Sequence, residues 1–442
     1  MKILIKNASC LQRSLNGKKE FEFIPKDVFI EENIISEIRN PGEGFSKEPE
    51  KTIDASGKIM MPGLINAHTH AYMSLFRNVA DDMAFWDWLT KVQKVEESNI
   101  VEDMYYGTLL NCIEMIKTGT TCFVDMNIKS AKEKEGPLSG AAGAAKEAGM
   151  RAVITRGLAG NKDDEYAKIK FPEVLKEMEI FKDDERITTW FGPHAPYSCM
   201  ADYLQLITEK GKEMNKGQTI HLSESVLEVE NSIKDRGMTP IAYVDSLGIF
   251  EIPTIAAHCV QATDDDIKIM KEKNVSVALN PKSNMKLGNG FAPAEKMLEA
   301  GINLCIGTDG CGSNNCQNMF SEMNAAALIY KGATKQVECI SAEDVLRFAT
   351  INGAKAIGME GKLGEIKEGY LADLIILDGS APTLHPKTNL VSGLAYSATG
   401  TEVETVIIDG KIVMEDNKIL TIDVDKVYEE CEKICDRVGM GE

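Results

Sequence analysis

The chain contains 442 residues, of which 43% are apolar and 26% are charged, as in ordinary globular proteins that bury a core of their own. Its 49 Lys and Arg residues are outnumbered by 68 Asp and Glu residues, and the net charge is −19. This balance argues against a nucleic-acid partner, because binding to phosphates requires clustered cations. It is compatible with a small neutral or zwitterionic ligand.

The sequence shows no signal for secretion or for membrane insertion. The N-terminus lacks the apolar stretch of about 7–15 residues that a secretory signal needs. No run reaches the ~20 apolar residues that span a bilayer. Eleven cysteines, an odd number without regular spacing, are typical of reduced thiols. We therefore expect a cytoplasmic protein without membrane contact, and a homo-oligomer is compatible with the sequence.

The first sixty residues are predicted to form short strands separated by turns. Glu32-Asn33 is the candidate tight turn between the last two of them, and no long helical period occurs in this part. The β-rich or alternating segments are Ile3–Lys6, Glu20–Ile24, Val28–Glu31 and Ile34–Ile38.

Between Leu64 and about Thr350 the pattern changes to short apolar runs that alternate with amphipathic, helix-like segments. Such alternation indicates a parallel sheet, and eight units in one region predict a (β/α)8 barrel. An open doubly wound sheet would instead need a Gly-rich turn after its first strand, where this sequence has His68-Thr69-His70. The predicted barrel strands are Leu64–His70, Thr120–Met126, Ala152–Leu158, Thr188–His194, Thr219–Leu222, Thr254–Val260, Val275–Asn280 and Ile302–Thr308.

Strand patterns return after a predicted helix at Ala342–Ile357. A hairpin turn is expected at Asp409-Gly410, and a last helix at Asp423–Val438. The predicted C-terminal strands are Ala372–Leu377, Val403–Ile408, Lys411–Glu415 and Lys418–Thr421. The predicted fold is therefore α/β, with a TIM barrel at residues 62–360 and a small β-sandwich built from residues 1–61 and 361–442.

Five of the six histidines lie in or at the ends of predicted barrel strands. Barrel enzymes place their chemistry at the C-terminal ends of the strands, so this distribution indicates a functional site. The sixth, His385, lies beside a proline in the C-terminal part and has no predicted role. The five are His68, His70, His194, His221 and His258.

The pattern of His68, His70, His221 and Asp309 predicts a metal site. His68 and His70 are two residues apart on a strand, so both rings point to the same face. A single buried histidine usually only satisfies a hydrogen bond, but three imidazoles and a carboxylate at neighbouring strand ends are typical ligands of Zn²⁺ or Fe²⁺. We expect one divalent metal per chain, with Zn²⁺ first and Fe²⁺ as the alternative. Its water would have a pKa of around 7.

Two further side chains are candidates for proton transfer at this metal. Glu224 follows His221 by three residues, on a predicted strand-exit loop, where its carboxyl group would move a proton from the water to a ring nitrogen. His258 would hydrogen-bond the water, or it would be a further metal ligand. Asp309 is expected to act in catalysis as well as in ligation.

Four segments of this chain resemble the motifs of the amidohydrolase superfamily. No Lys closes the fourth predicted barrel strand, where the binuclear members carry a carboxylated lysine; the sequence there is Gly192-Pro193-His194. The resemblance therefore implies the mononuclear branch, which contains deaminases of nucleobases and nucleosides. The four segments are Pro62–His70, His221–Glu224, Ala257–Val260 and Ile306–Gly310.

Within that branch the chain is most similar to the 5′-methylthioadenosine/S-adenosylhomocysteine deaminases. The similarity lies in the segments Asn280–Gly290, Thr155–Leu158, Gly192–His194 and Trp88–Glu96. It implies that Glu96 binds ribose hydroxyls and that Arg156 and His194 line the 5′ side of the substrate pocket. By their chemistry, Trp86 and Trp88 would either stack on the purine or pack under a loop. The family's second arginine has no counterpart after Leu158, which argues against S-adenosylhomocysteine as a substrate.

The resemblance implies a metal-dependent hydrolytic deaminase of a 5′-modified adenosine. The candidate substrates are 5′-methylthioadenosine, 5′-deoxyadenosine, S-adenosylhomocysteine and adenosine, and the products would be the inosine analogue and ammonia. An aminohydrolase of guanine, cytosine or a triazine is the alternative, because it would use the same metal site. A non-enzymatic barrel protein is a third alternative, which the complete set of expected ligands argues against.

Overall fold

The computed structural model describes residues 1–14, 19–96, 100–127 and 137–439. None of the helices in these ranges is long and apolar enough to cross a membrane. The strands, numbered in chain order, are β1 Lys2–Arg13, β2 Phe21–Glu31, β3 Ile34–Arg39, β4 Lys51–Asp54, β5 Ile59–Pro62, β6 Leu64–Thr69, β7 Thr120–Asn127, β8 Arg151–Leu158, β9 Ile187–Pro193, β10 Gln218–Leu222, β11 Thr254–His258, β12 Ser276–Leu279, β13 Asn303–Ile306, β14 Leu374–Leu377, β15 Val403–Ile408, β16 Lys411–Glu415 and β17 Lys418–Ile419.

Helices connect and cover these strands. Short 3-10 helices occur at Ala71–Phe76, Ile249–Glu251 and Pro382–Leu384. The α-helices are α1 Phe85–Glu96, α2 Val101–Lys117, α3 Pro137–Ala148, α4 Glu165–Ile180, α5 Ala201–Met214, α6 Val226–Arg236, α7 Pro240–Ser246, α8 Asp264–Glu272, α9 Pro281–Lys286, α10 Ala294–Glu299, α11 Cys311–Asn314, α12 Met319–Thr334, α13 Ala342–Ala349, α14 Ile351–Ala356, α15 Leu390–Tyr396 and α16 Val424–Val438.

Strands β6 to β13 form a sheet of eight strands in sequence order, and all of its pairings are parallel. After β13, the backbone N–H of Asp309 donates to the carbonyl of His68 at 3.0 Å, so the last strand returns to the first. The predicted (β/α)8 barrel is confirmed. Its strands end at one rim, where side chains from distant parts of the sequence meet.

The remaining strands form a separate nine-stranded mixed sheet from both chain ends, also as expected. Its order is β17-β16-β15-β14-β5-β1-β2-β3, with β4 paired to β1. The ends of the chain meet where β5 pairs with β14 in antiparallel register, from Ile59 opposite Leu377 to Pro62 opposite Leu374. The boundaries after residues 61 and 360 stay a prediction.

The interior of the barrel is apolar below the C-terminal ends of the strands. Alternate side chains of the strands pack there with residues of α14, which closes this end of the barrel. The cluster contains Ile65, Ala67, Cys122, Val124, Val153, Trp190, Ile255, Ala278, Cys305, Ala354 and Ile357. This cluster separates the rim at the C-terminal strand ends from the other end of the barrel.

The structure differs from the predicted elements in two places. Strand β2 continues through Pro25, where the sequence predicted a break, because Pro25 pairs with Ser9 within a continuous antiparallel ladder. The helix predicted at Ala342–Ile357 is divided into α13 and α14 at Thr350, whose φ of −128° and ψ of −89° are not helical. Tertiary pairing and packing, rather than local sequence preference, decide both cases.

A buried ion-pair group fastens the sheet to the barrel. Arg151 opens β8, and its guanidinium contacts both carboxylate oxygens of Asp373 at 2.9 and 3.1 Å and Oδ1 of Asp409 at 3.1 Å. Asp373 precedes β14, and Asp409 lies in the turn between β15 and β16. All three residues are buried, and the guanidinium is the cationic partner of both carboxylates. Asp373 also accepts from the backbone N–H of Asp409 at 2.8 Å, and Asp409 accepts from Nδ2 of Asn33 at 3.3 Å.

Replacing this arginine should destabilise the protein without touching the rim of the barrel. We expect Arg151→Ala to lower the free energy of unfolding by about 3–5 kcal/mol, because two buried carboxylates lose their partner. Urea denaturation measures the difference. Arg39→Ala is the control, because Arg39 forms an exposed pair with Glu37 and its loss should change stability little. Equal stabilities of the two variants would contradict the proposed fastening.

Candidate metal-dependent active site

The two histidines of the H-x-H motif follow an irregularity in β6. The pairing of β6 with β7 shifts register between Asn66 and Thr69. Such a bulge changes which side chains face a given side of the sheet. Both His68 and His70 are buried, and their ring centroids are 5.0 Å apart. The structure therefore brings the two rings together at the rim of the barrel.

His221, at the end of β10, adds a third imidazole, and its Nε2 is 3.2 Å from Nε2 of His70. Nδ1 of His70 faces the carbonyl of Met126 at 2.5 Å, and Nδ1 of His221 faces the carbonyl of His194 at 2.8 Å. Because a carbonyl oxygen can only accept, each Nδ1 carries a proton, and each Nε2 is left to face the other. Burial acts to lower the pKa of His70, but the carboxylate of Asp309 raises it, so a positive charge is favoured between these atoms. In the neutral rings both Nε2 lone pairs are directed to one space, which a metal cation could occupy.

Asp309 completes this arrangement from the end of β13, next to His68 on β6. It has a left-handed backbone conformation, with φ of 62°. Its Oδ1 lies 3.2 Å from Nε2 of His70 and 3.5 Å from Nε2 of His68. Its Oδ2 accepts hydrogen bonds from the hydroxyl groups of Ser283 at 2.6 Å and Ser313 at 2.8 Å. Burial acts to raise the pKa of Asp309, but the two imidazoles beside it hold that pKa well below its usual value.

His258, at the end of β11, belongs to the same group. Its Nδ1 is 2.8 Å from Oδ1 of Asn284 and 3.3 Å from Nδ2 of Asn280, and its Nε2 lies 3.8 Å from Oε2 of Glu224. This position accommodates both expected roles, contact with a water and metal ligation. Four buried ligand atoms that all lie within 4.8 Å of one another come from His68, His221, His258 and Asp309.

The residues fit a divalent transition metal. Burial lowers the pKa of His68 to about 4 and that of His221 well below its usual value, so both rings are neutral and offer lone pairs. Neither ring nitrogen of His68 has a hydrogen-bond partner among the residues that the structure describes. A buried polar atom without a partner is unfavourable, and a metal ion would satisfy it. Neutral imidazoles with one carboxylate suit Zn²⁺ and Fe²⁺.

Glu224 lies two residues beyond β10, beside this group and almost fully buried. Its Oε1 accepts a hydrogen bond from Nδ2 of Asn289 at 3.1 Å, and its Oε2 is 3.8 Å from Nε2 of His258. Burial, followed by the charge of Asp309, raises the pKa of Glu224 well above its usual value. A carboxyl group of raised pKa can hold a proton near neutral pH and transfer it.

These side chains line one end of a cavity that lies between helix α1 and the C-terminal ends of the barrel strands. Helix α1 forms a large part of its wall, mostly with apolar side chains. Cationic side chains do not line it within the described part of the chain. The lining residues are His70, Met73, Phe85, Trp88, Leu89, Val92, Gln93, Glu96, His194, Tyr197, His221, Glu224, His258 and Asp309.

Three of the expected substrate-binding residues reach this cavity. Glu96 is buried at the end of α1 and accepts a hydrogen bond from the hydroxyl of Tyr72. Trp88 donates from Nε1 to the carbonyl of Gly312 at 2.9 Å, which fixes its ring in the wall. His194 follows β9, and burial lowers its pKa to about 3, so its ring is neutral. Their roles in binding stay predictions.

Arg156, in contrast, is not brought to the cavity wall. Its side chain is fully buried, and Nη1 lies 3.7 Å from Oε2 of Glu177 on α4. Along β8 it has the same orientation as Ile154, which packs in the outer core, whereas Val153 faces the barrel interior. Arg156 is not among the residues that line this cavity, and its expected role at the 5′ side of the pocket stays a prediction. Strand alternation turns it to the helix layer, where a carboxylate compensates its charge.

Several polar residues that hold the site were not assigned from the sequence. Ser283 contacts Asp309, Asn284 contacts His258, and Asn289 contacts Glu224. All three lie in the segment Asn280–Gly290, which sequence resemblance marks without assigning a role to any residue in it. Tyr197, another lining residue, carries no sequence signal.

Comparison with known proteins is consistent with this site. The sequence profile of the Amidohydrolase family matches residues 59–413. The chain belongs to the amidohydrolase family. This amidohydrolase is 44% identical to a 5-methylthioadenosine/S-adenosylhomocysteine deaminase of Caldanaerobacter subterraneus subsp. tengcongensis, over 100% of both chains. It is 43% identical to a 5′-deoxyadenosine deaminase of Methanocaldococcus jannaschii, over 98% of both chains.

A solved structure shows the same architecture. An adenosine deaminase from Xanthomonas campestris, crystallised with bound zinc, superimposes with a TM-score of 0.92. The two sequences are 30% identical, and the match covers 99% of this amidohydrolase and 98% of that chain. Members of the family are metal-dependent hydrolases, which agrees with the buried His and Asp group.

The site predicts the metal content of the protein. We expect about one divalent ion per purified chain, and we expect His221→Ala to lose most of it, because one of the converging lone pairs is removed. His385→Ala is the control, because His385 is exposed and lies outside the site. Elemental analysis of both variants measures the effect. Equal metal content in the two variants would contradict the assignment of His221 as a ligand.

Proposed function

We propose that this amidohydrolase is a metal-dependent deaminase of a 5′-modified adenosine. It would hydrolyse the 6-amino group and release ammonia and the inosine analogue. The observation that carries the proposal is a single cavity that combines the buried His and Asp group with the carboxyl groups of Glu224 and Glu96. The names of two relatives, a 5-methylthioadenosine/S-adenosylhomocysteine deaminase and a 5′-deoxyadenosine deaminase, support the same reaction.

The metal is proposed to be Zn²⁺, with Fe²⁺ as the alternative. His68, His70, His221 and Asp309 would hold it. The donor set suits both metals, and the zinc in the adenosine deaminase from Xanthomonas campestris favours Zn²⁺. When bound, the ion lowers the pKa of a coordinated water to around 7 and so supplies a nucleophile at neutral pH.

Glu224 is proposed to carry the protons of the reaction. It accepts a proton from the attacking water and delivers it to N1 of the purine while C6 becomes tetrahedral. Asn289 holds Oε1 of Glu224, which leaves Oε2 to face the reacting atoms. His258 and Asp309 fix the direction of the water, because Asn284 and two serine hydroxyl groups keep both side chains oriented. The hydroxyl group on C6 then gives up its proton to the amine, the C6 carbonyl forms, and the C–N bond breaks to release ammonia.

The rest of the cavity is proposed to bind the nucleoside. The carboxylate of Glu96 accepts hydrogen bonds from ribose hydroxyl groups, a task that a buried carboxylate performs well. The ring of Trp88, fixed by its hydrogen bond to Gly312, packs against the purine. His194, which is neutral, lines the 5′ side.

The 5′ substituent is proposed to be small and uncharged. Apolar side chains of α1 line the cavity, and the guanidinium of Arg156 is paired with Glu177 away from it. The amino-acid end of S-adenosylhomocysteine carries two charges, which are costly to bury without partners. We therefore favour 5′-methylthioadenosine, 5′-deoxyadenosine and adenosine over S-adenosylhomocysteine.

We also propose a cytoplasmic location. All eleven cysteines are free in the structure, which fits a reducing compartment.

Substitution of Glu224 tests the proton-transfer role. We expect Glu224→Gln to keep its metal and to lose about 10²- to 10⁴-fold in kcat, because an amide cannot exchange the proton. Ammonia release gives kcat, and elemental analysis gives the metal content. Turnover close to that of the unchanged protein would remove Glu224 from the proposed role.

A substrate panel tests the choice of substrate. The panel contains adenosine, 5′-methylthioadenosine, 5′-deoxyadenosine, S-adenosylhomocysteine and guanine, with ammonia release as the measurement. We expect turnover of the first three. We expect a kcat/KM for S-adenosylhomocysteine that is at least ~10-fold lower, equivalent to ~1.4 kcal/mol. Preferred turnover of guanine would favour the alternative aminohydrolase, and absence of any turnover would contradict the proposed function.

A further inference from the structure

Glu228 is a second buried carboxyl group next to Glu224, and the reaction described above gives it no task. It lies in the first turn of α6 and is 4% exposed. It is not among the residues that line the cavity. A glutamate in the first turn of a helix ordinarily reaches back to the N-cap, which is Ser225 here, but this side chain reaches further.

The carboxylate of Glu228 bridges two consecutive backbone N–H groups. Oε1 accepts from the N–H of Ser223 at 3.1 Å, and Oε2 accepts from the N–H of Glu224 at 2.7 Å. Its own N–H donates to the hydroxyl of Ser225 at 3.3 Å. Glu228, on α6, is therefore hydrogen-bonded to the turn that connects β10 to α6. Burial raises the pKa of Glu228 to about 7, and the hydrogen bonds from the backbone N–H groups act in the opposite direction, because they favour the ionised form.

This turn needs such a support. Ser223 has φ of 50°, a left-handed conformation that is unfavourable for a residue with a side chain. The N–H groups of Ser223 and Glu224 belong to buried residues, so without Glu228 they would have no acceptor to replace water. The carboxylate of Glu228 accepts hydrogen bonds from both N–H groups, and the same bonds hold Ser223 in its left-handed conformation.

The direction of the Glu224 side chain depends on this turn. Its Oε1 meets Asn289 at 3.1 Å, and its Oε2 lies 3.8 Å from His258. A rotation of the backbone at Ser223 would move the whole carboxyl group away from both partners. A displacement of ~1 Å can reduce catalysis by about 10²-fold.

We propose that Glu228 is a positioning residue, which holds Glu224 in its place through the backbone and touches neither the substrate nor the metal. This inference rests on the proposed role of Glu224 in proton transfer. It extends that role to a residue outside the cavity.

Glu228→Gln tests the inference, because an amide offers one acceptor oxygen and turns its NH₂ group towards the other N–H. We expect kcat to fall by about 10- to 100-fold while KM and metal content change less than about 3-fold. Glu228→Asp, which is too short to bridge both N–H groups, should show a loss of the same kind. Glu230→Gln is the matched control, because Glu230 lies on the same helix and is exposed.

A double-mutant cycle separates positioning from a general structural role. If Glu228 acts through Glu224, then Glu228→Gln should cause little further loss of kcat in the Glu224→Gln background. Losses of equal size in both backgrounds would overturn the inference, as would loss of the metal in Glu228→Gln. Activity of Glu224→Gln close to that of the unchanged protein would instead contradict the proposed function, so the two failures are distinguishable.

Hydrogen exchange gives a measurement that does not depend on activity. The amides of Ser223 and Glu224 should exchange faster in both Glu228 variants, because they lose a charged acceptor, while amides elsewhere in α6 should be unaffected. Unchanged exchange at these two amides would also overturn the inference.

Discussion

The converging lone pairs of buried imidazoles are the constraint on which the rest of the site depends. Nε2 of His70 and Nε2 of His221 are 3.2 Å apart, and each ring is held in that state by a carbonyl oxygen at its Nδ1. With the negative charge of Asp309 beside them, these atoms favour a positive charge in the space between them. A buried metal ion would therefore satisfy electrostatics as well as supply chemistry.

The backbone leaves the regular strand geometry at the residues where the site begins. Ser223, His258 and Asp309 all have left-handed φ values, between 50° and 72°. Such conformations persist only where surrounding contacts enforce them. Here the contacts are polar and come from neighbouring segments, such as Glu228 beneath the turn at Ser223 and Asn284 behind His258. The arrangement orients each functional group before a substrate arrives.

Two features of the sequence made parts of the structure predictable: the alternation of strand-like and helix-like segments, and the polar residues at the ends of the predicted strands. Eight alternating units indicated the barrel, and the same alternation placed His68, His70, His221 and Asp309 at one rim. Arg156 shows the limit of this reasoning. One residue of register decides whether a strand side chain faces the interior or the helices, and all residues of β8 are buried, so the pattern of burial does not distinguish the two faces. Its partner Glu177 lies on a later helix, so sequence proximity could not reveal the pair.

The sequence by itself determined the fold class, the metal-binding residue types and the position of Glu224 after a predicted strand, because these depend on local pattern and on residue chemistry. Only the tertiary structure decided how these groups are oriented. Orientation depends on contacts between different segments of the chain. Examples are the bulge in the pairing of β6, the bridge from Glu228, and the contacts of Asn284 and Asn289. Orientation is a property of contacts between such segments, and a sequence pattern records the segments but not their contacts.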